Sequence, residues 1–354
     1  MTAKLDHPTI RRTPSTIHDV ARAAGVSVST VSKALNGRGQ LRAETRSLVQ
    51  SAAARLRFQP NDLAQSLLRK RSFTVGLIST DSYGRFSIPV LQGIESALEA
   101  ARISVFLCSA ADDPARERHH VSSLLAKRVD GIIVTGRRTD PRPPLDLGGA
   151  GVPIIYAFAQ VADPKALCLL PDDLGGARLG AEHLIGLGRT RIAHVTGPRH
   201  FEAVRRRCSG FRRALEAHDL PWRPDLALSG TWSEAWGREA SLQLLARREP
   251  IDAIFCGSDQ IARGVIDALR EHGTRVPDDI AVVGFDNWDV IAAATRPPIT
   301  SVDMNLQELG RQAGLRLTAM IDGAAQKGVV RLACELVIRQ SCGAASAEPR
   351  SKKN

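Results

Sequence analysis

Residues 16–37 read TIHDVARAAGVSVSTVSKALNG, and this stretch decides the fold of the N-terminal region. Ser15 or Thr16 can cap a helix that begins at Ile17, because a hydroxyl in that position accepts a hydrogen bond from a free N–H of the first turn. Apolar residues then recur at helical spacing until Gly25 breaks the pattern. Glycine adopts the positive φ of a tight turn without strain. The stretch therefore predicts two short helices joined at this glycine.

The second predicted helix, Val28–Leu35, combines an apolar inner face with an outer face of short polar side chains. Val31 lies on the inner face, and Ala21 in the first helix is small enough to let the two helices approach closely. A helix of this kind fits the major groove of DNA, where its N-terminal residues meet base edges. Lys33 can reach guanine or a phosphate, and Val28 can touch a thymine methyl group. The positions predicted to contact DNA are Thr16, Ser27, Val28, Ser29, Thr30, Ser32, Lys33 and Asn36.

The positive charge of the chain is concentrated in the same region. Residues 1–71 hold thirteen Lys and Arg against four Asp and Glu, which accounts for nine of the eleven net positive charges. A basic segment attached to a nearly neutral body is typical of a nucleic-acid-binding module. A charge run alone also fits a solvated surface, and a helical hairpin alone also fits a plain packing unit. The two signals together favour DNA binding.

A third helix is predicted from about Ala43 to Arg57, with Leu48, Ala52 and Leu56 turned toward the interior. Arg42 precedes this helix and lacks the short oxygen-bearing side chain that a good N-cap supplies. Further on, Pro60 and Asn61 open a segment of about two helical turns, which is marginally stable alone in water. We therefore divide the chain into a flexible basic arm (1–14), a helix-turn-helix headpiece (15–59), a hinge (60–72), a core (73–342) and a disordered tail (343–354).

From Phe73 onward, short β-branched runs alternate with amphipathic stretches, as at Thr74–Ser79, Val105–Cys108 and Ile132–Val134. Such alternation is typical of parallel sheets built from βαβ units. Two such units that face one another form a cleft at the carboxyl ends of their strands, where open α/β sheets bind ligands. The predicted fold is an all-α headpiece followed by an α/β core of two doubly wound parallel-sheet subdomains.

Composition and missing motifs exclude several classes of protein. Hydrophobic residues make up 43% of the chain, yet no apolar run approaches the roughly 20 residues of a membrane span. The N-terminus has no apolar segment of the secretory type, which favours a cytoplasmic location. The six cysteines lie far apart with no C-x-x-C pair, and no H-E-x-x-H motif or Walker loop occurs. We therefore expect no enzyme activity, no metal and no cofactor.

Two other classes of protein share a core of this kind. A solute-binding protein or transporter component would carry a signal peptide and no headpiece, the reverse of this sequence. A nucleotide- or sugar-modifying enzyme on a doubly wound sheet would carry a nucleophile or metal cluster in its cleft, and the sequence offers no such motif. A DNA-binding regulator is the interpretation that uses both halves of the chain.

Motifs in a fixed order extend from the headpiece through the core. They are TIHDVA (16–21), GVSVSTVSKALNG (25–37), Pro60-Asn61 with Ala64 and Leu67, DGII (130–133), GGAR (175–178), HLIGLG (183–188), DIAVVGFD (279–286) and PPITS (297–301). With these motifs the chain resembles the lactose-repressor (LacI) family of bacterial transcriptional regulators over residues 15–342. The resemblance implies a core like that of periplasmic sugar-binding proteins. It places the first subdomain at about 73–171 plus 303–331 and the second at about 172–302 plus 332–342.

The resemblance also implies partners. A homodimer would bind a near-palindromic double-stranded DNA operator, with the two hinges paired in the minor groove and Leu67 of each chain wedged between base pairs. The hinge residues implied to contact DNA are Asn61, Ala64, Leu67 and Leu68. The tail lacks the leucine heptads of a tetramerising coiled coil, so we expect dimers.

A small-molecule effector is implied for the cleft, with repression relieved by an inducer as the expected mode and corepression as the alternative. The residues implied to bind the effector are Phe86, Thr135, Phe158, Arg207, Trp232, Ser258, Asp259 and Asp286. A guanidinium such as that of Arg207 suits a carboxylate or vicinal hydroxyls.

Two effector positions depart from the family pattern. Phe158 stands where many sugar-responsive members carry Asp, and Ser258 stands where they often carry Asn. The loss of two hydroxyl-binding groups weakens the expectation of a simple sugar, unless Asp259 or Asp172 compensates. The aromatic residues Phe158, Trp232, Tyr83 and Trp288 indicate a flatter or more apolar ligand, although each could be a core residue, above all Trp288.

Overall fold

The structure is a computed structural model and describes residues 15–35, 39–58, 71–82, 84–247 and 250–344. Contacts divide the chain into two units, Met1–Ser72 and Phe73–Asn354. The basic arm, most of the hinge and nearly all of the tail lie outside the described residues. The same holds for the predicted site residues Asn36, Asn61, Ala64, Leu67 and Leu68, and for Tyr83.

The described part of the headpiece contains the helices α1 (Ile17–Ala24), α2 (Val28–Leu35) and α3 (Ala43–Arg55). Thr16 caps α1, because its hydroxyl accepts a hydrogen bond from the Asp19 N–H at 3.4 Å and the Asp19 carboxylate accepts one from the Thr16 N–H at 2.9 Å. This reciprocal pair is a capping box. Gly25 ends α1 with a φ of 63°. The predicted helix-turn-helix is confirmed.

The interior of the headpiece is small and built on valine and alanine. Val20, Val31 and Val49 are fully buried, whereas Leu48, which the sequence placed inside, is 52% exposed. Successive helical residues point about 100° apart, so only one member of the Leu48–Val49 pair can face inward. The third helix also ends at Arg55, two residues before the predicted end.

The core alternates strands and helices along the chain. Its strands are β1 (Thr74–Ser79), β2 (Ser104–Ser109), β3 (Gly131–Thr135), β4 (Pro141–Arg142), β5 (Ile154–Ala157), β6 (Gln160–Val161), β7 (Leu167–Pro171), β8 (Ile192–Thr196), β9 (Ala227–Ser229), β10 (Ala253–Cys256), β11 (Ala281–Asp286), β12 (Thr300–Asp303), β13 (Gly328–Leu332) and β14 (Glu335–Val337). Its α-helices are α4 (Ser87–Leu98), α5 (Pro114–Ala126), α6 (Asp173–Gly186), α7 (Glu202–Ala217), α8 (Glu234–Leu245), α9 (Asp259–Glu271), α10 (Asp289–Ala292) and α11 (Leu306–Ile321).

Two six-stranded sheets organise the core. The first has the order β13-β7-β5-β3-β1-β2 and is parallel throughout. The second has the order β14-β12-β11-β10-β8-β9 and is parallel except for the β12–β14 pair. We call each sheet with its helices the first and the second subdomain. The predicted pair of doubly wound subdomains is confirmed.

Alternate strand residues face opposite layers of helices, as the pleat of a strand requires. In the first subdomain Leu77 packs with α4 and α11, whereas Ile78 packs with α5. Close approach of α4 and α11 depends on Gly93, because a Cβ there would lie 1.9 Å from the carbonyl oxygen of Gln307. In the second subdomain Phe255 packs with α6 and α7, and Ile254 packs with α8 and α9.

The chain passes between the subdomains three times, after β7, after β12 and between β13 and β14. These passages connect two sheets whose strands end at a common junction, which we call the cleft. All six cysteines are free thiols. In the described ranges, the helices are all too short or too polar to span a membrane.

Candidate functional site

The outer face of α2 carries the residues predicted to contact DNA. Ser29 and Lys33 are exposed, and Val28, Thr30 and Ser32 are half-buried. Ser27 caps this helix, since its hydroxyl accepts a hydrogen bond from the Thr30 N–H at 3.1 Å. The face therefore combines short side chains, which allow close approach to a groove, with one long cation at its centre.

Several basic side chains are exposed on the headpiece surface. The exposed ones in its described part are Arg22, Lys33, Arg42, Arg55 and Arg57. Arg42 occupies the N-cap position of α3 and makes no side-chain hydrogen bond to the helix. Exposed cations of this kind attract a phosphate backbone without regard to its sequence.

Arg207 anchors the second-subdomain wall of the cleft. It projects from α7, and its side chain is only 5% exposed. Its Nε donates to Asp173 Oδ1 at 2.8 Å, one Nη donates to the carbonyl oxygen of Gly257 at 2.6 Å, and its guanidinium lies 3.6 Å from the ring centroid of Phe285. Because these three contacts hold it, the guanidinium is a fixed charge rather than a mobile surface one.

Asp286 ends β11 and lies beside Arg207, with 3.4 Å between its Oδ1 and the guanidinium. Asp286 has a φ of 100°, and Asn287 after it has a φ of 48°. Two consecutive non-glycine residues with positive φ are strained, and such strain concentrates at functional sites.

Ser258 and Asp259, which the resemblance implied as effector contacts, are both hydrogen-bonded within the second subdomain. The Ser258 hydroxyl accepts from the Ile261 N–H at 3.3 Å and caps α9. Asp259 is fully buried, and it accepts hydrogen bonds from the Ser301 hydroxyl at 2.6 Å and the Trp288 N–H at 2.7 Å. Burial, together with the nearby charge of Asp286, raises the pKa of Asp259 to about 8. Its geometry is that of a positioning residue for the loop after β11.

Two tryptophans lie beside the charged groups. Trp232 is half-buried, with its ring centroid 6.0 Å from the Arg207 guanidinium. Trp288 is also half-buried and packs against the second-subdomain core with part of its ring. Asp172 does not join this group, since the nearest cation to its carboxylate is Arg206 at 3.9 Å.

The first-subdomain wall contains Phe86, Phe158 and Thr135. The two phenylalanine rings pack with centroids 4.8 Å apart. Phe158 is only 4% exposed, so it lies on the interior side of this contact. Asp81 fixes the start of α4 by accepting from the N–H groups of Phe86 at 2.8 Å and Ser87 at 3.0 Å. Thr135, at the end of β3, is fully buried.

Several buried polar atoms near the ends of these strands have no hydrogen-bond partner among the described residues. They are Thr135 Oγ1, Asp173 Oδ2, Thr196 Oγ1 and Arg85 Nε. Buried polar groups in folded proteins are nearly always paired, so each of these exceptions needs an explanation. A polar ligand in the cleft would pair with the hydroxyl and carboxylate oxygens among them.

Sequence reasoning missed Arg85, Gln260 and Asp173. Arg85 precedes α4 in the first subdomain and contacts Asp286 and Gln260 in the second. The available signal was its place in the loop that follows a buried strand at the carboxyl edge of the sheet, where binding residues collect. The partners themselves lie 175 and 201 positions away in sequence.

A helix-turn-helix unit ahead of a two-subdomain α/β binding core is the architecture of a DNA-binding transcriptional regulator. Comparison with known proteins agrees with this class. Residues 16–61 match the family described as bacterial regulatory proteins, lacI family, and residues 181–342 match a periplasmic binding protein-like domain.

Relatives cover nearly the whole chain. The HTH-type transcriptional regulator DegA of Bacillus subtilis (strain 168) is 34% identical over 338 residues, which cover 92% of this chain and 98% of DegA. The Lac repressor dimer bound to operator and the anti-inducer ONPF is 30% identical with a TM-score of 0.75, covering 93% of this chain and 99% of that one. The complex of the transcriptional regulator CelR with cellobiose is 29% identical with a TM-score of 0.64, covering 92% and 99%. The chain belongs to the lacI family of bacterial regulatory proteins.

Proposed function

We propose that this protein is a transcriptional repressor whose affinity for a DNA operator is controlled by a small polar molecule bound in the cleft. The observation that carries the proposal is the buried Arg207, paired with Asp173 and Asp286 at the strand ends of the second sheet, where Asp173 also keeps a buried oxygen with no hydrogen-bond partner among the described residues. A buried hydroxyl or carboxylate oxygen without a partner costs free energy, which a ligand that pairs with it recovers.

On the DNA side, α2 enters the major groove with its N-terminal end toward the bases. Lys33 contacts guanine or a phosphate, and Val28 contacts a thymine methyl group. Thr30 and Ser32 contact phosphates, which fix the register of the headpiece. The target lies in the bacterial cytoplasm, and there we place the protein as a regulator rather than an enzyme. Contacts of Asn61, Ala64, Leu67 and Leu68 in the minor groove stay predictions, since these residues lie outside the described ones.

On the effector side, the chemistry favours a hydroxylated molecule with one flat or apolar face. Asp173 and Thr196 offer acceptors to hydroxyl groups, and Arg207 offers donors. Phe86 and Trp232 offer aromatic surface to a ring face. Support also comes from CelR, whose complex holds cellobiose, and from the Lac repressor, whose complex holds ONPF.

A second copy of the chain is proposed as the partner. Phe106 and Leu107 are 45% and 48% exposed on β2, which is the edge strand of the first sheet. Apolar side chains on an exposed edge strand need a cover. The Lac repressor structure is a dimer bound to its operator. A homodimer on a near-palindromic operator is consistent with both observations.

Capture of genomic DNA fragments by the purified full-length protein tests the proposal. The selected sequences are sequenced, and fluorescence anisotropy then measures operator affinity with and without a panel of monosaccharides, disaccharides and sugar acids. We expect a near-palindromic consensus and a loss of affinity of about 5- to 150-fold with one class of compound. A protein that prefers no duplex sequence at moderate salt, with or without any compound, would overturn the proposal.

A further inference from the structure

We propose that Arg85 is an internal substitute for the effector, which holds the ligand-free cleft closed and must release Asp286 when the effector enters. The inference rests on the proposed function, because it assigns a competitor to the same site. It concerns a residue of the first subdomain whose described hydrogen-bond partners, Asp286 and Gln260, lie in the second.

The contacts of Arg85 span the cleft. The residue sits between β1 and α4, and its guanidinium donates to the carboxylate of Asp286 and, at 2.9 Å, to Oε1 of Gln260. The two charged side chains are 14% and 7% exposed. An ion pair this sheltered from water is sensitive to geometry, so it forms only when the subdomains are close together.

Aromatic rings complete the slot that the guanidinium fills. The Arg85 guanidinium carbon lies 4.9 Å from the ring centroid of Phe86 and 4.6 Å from that of Trp288, which belongs to the opposite subdomain. Both distances are within the range of cation–π attraction. A carboxylate flanked by aromatic surface is also what a hydroxylated ring needs for binding. Arg85 therefore contacts the same carboxylate and aromatic rings that an effector would contact.

The contact can open at small cost, because Asp286 keeps a second cation. Arg207 remains at 3.4 Å from Asp286 and is itself held by Asp173. When Arg85 leaves, Asp286 is still paired, and Arg85 is near enough to solvent to be hydrated. Breaking a buried pair is strongly destabilising only when the remaining charge has no partner. The contact is thus suited to a reversible switch.

A second contact joins the two subdomains, between the β3–β4 loop and the start of α7. Asp140, in the loop between β3 and β4, accepts a hydrogen bond at 2.8 Å from the backbone N–H of Glu202. Glu202 is the first residue of α7, the helix that carries Arg207. A carboxylate at this end of a helix is favoured by the helix dipole. This contact and the one formed by Arg85 both join the subdomains, and the effector competes with the one formed by Arg85.

Hydrogen–deuterium exchange of the full-length, ligand-free protein tests the inference without any effector or DNA. Arg85→Ala should raise amide exchange in residues 284–291, on the opposite wall, by about fivefold or more. Arg116→Ala, at an exposed arginine of the same subdomain, is the matched control and should leave that exchange unchanged. Arg85→Gln removes the charge with less loss of volume and should act in the same direction.

Methylguanidinium supplies the second arm of the test. At millimolar concentration it should bind between Phe86 and Trp288 in the Arg85→Ala protein and return exchange in residues 284–291 toward the wild-type rate. It should have no effect on wild type, whose slot is full. Unchanged exchange in both Arg85 variants, or no rescue by methylguanidinium, would overturn the inference. Operator binding measured on the same samples separates the outcomes, because its absence would refute the proposed function and leave the exchange result intact.

Discussion

The charged side chains of the headpiece and those of the core differ in their exposure to solvent. In the headpiece, Arg22 and Lys33 stand in solvent, and the side chain of Arg22 is 80% exposed. In the core, the side chains of Arg207 and Asp173 are 5% and 1% exposed, and each is the other's partner. The charged side chains of the headpiece can contact an outside partner, whereas those of Arg207 and Asp173 in the core are buried and paired with each other.

This difference in exposure determines the range over which the charges of each unit act and the kind of ligand that each unit can bind. Exposed cations act over about a Debye length, are screened by salt and tolerate small displacements. Buried charges act over a few ångströms and depend on every neighbour. Binding of a polyanion suits the first arrangement, and recognition of a small molecule suits the second. Each prediction below challenges or refines this contrast.

The largest expected effect is on stability. Arg207→Gln leaves the buried Asp173 without its cation and should lower the unfolding free energy of the core by about 3 to 5 kcal/mol. Arg22→Gln at the exposed headpiece position should change stability by less than about 0.5 kcal/mol. Urea denaturation followed by tryptophan fluorescence reports the core, since all four tryptophans lie there, and circular dichroism of the helical signal of the headpiece reports the Arg22 variant. Equal effects of the two substitutions would abolish the contrast.

A second buried group, His194, should make the core sensitive to acid. Burial lowers the pKa of His194 from 6.5 to about 4, and the ring lies between Phe211 and Phe255 at centroid distances of 5.1 and 5.2 Å. A lowered folded-state pKa gives stability that is present above pH 6.5 and is lost as the pH falls through 4, in total about 3 kcal/mol.

His194→Phe fills the same space and cannot titrate. Between pH 7 and pH 4, wild type should lose about 3 kcal/mol of unfolding free energy relative to this variant. A difference that stays constant with pH would show that the ring does not remain neutral when the core is folded.

Lys33→Ala addresses the headpiece side of the contrast. Removal of one phosphate or guanine contact should lower operator affinity and reduce the slope of log affinity against log salt by about one. Lys127→Ala, at an exposed core lysine, is the matched control and should leave the slope unchanged. Identical slopes for all three proteins would place Lys33 outside the DNA interface.

The smallest expected effect concerns Arg42. Arg42→Ser supplies the missing hydroxyl cap of α3 and should stabilise the headpiece by about 0.5 to 1 kcal/mol. The same change should weaken DNA binding, because an exposed cation is lost. Thermal unfolding and operator titration of one preparation measure both effects. A variant that gains stability and keeps full affinity would show that Arg42 is only a poor cap.

Local chemistry explains what could be predicted from the sequence. The Thr16 cap, the turn at Gly25 and the buried Val31 depend on neighbours a few residues away, so spacing alone was enough. Leu48 and Val49 are adjacent and both apolar, so spacing could not decide which of them faces inward.

The cleft was only partly predictable for the opposite reason. Family motifs singled out Arg207 and Asp286 as candidates, but the contacts of Arg85 involve residues 175 and 201 positions distant. The positioning role of Asp259 depends equally on tertiary contacts, with Ser301 and Trp288. The local sequence does not show that Asp259 is bonded to Ser301 and Trp288 whereas Asp286 pairs with Arg85 and Arg207.

One measurement tests the central claim most directly: operator affinity with and without effector for Lys33→Ala and Thr135→Val side by side. Thr135→Val removes a buried hydroxyl that has no partner among the described residues, so it should leave folding and operator affinity intact. The account predicts that Lys33→Ala binds the operator more weakly but is released by the same factor as wild type, whereas Thr135→Val binds normally and is released at least about fivefold less. Full release of Thr135→Val, or loss of release in Lys33→Ala, would contradict it.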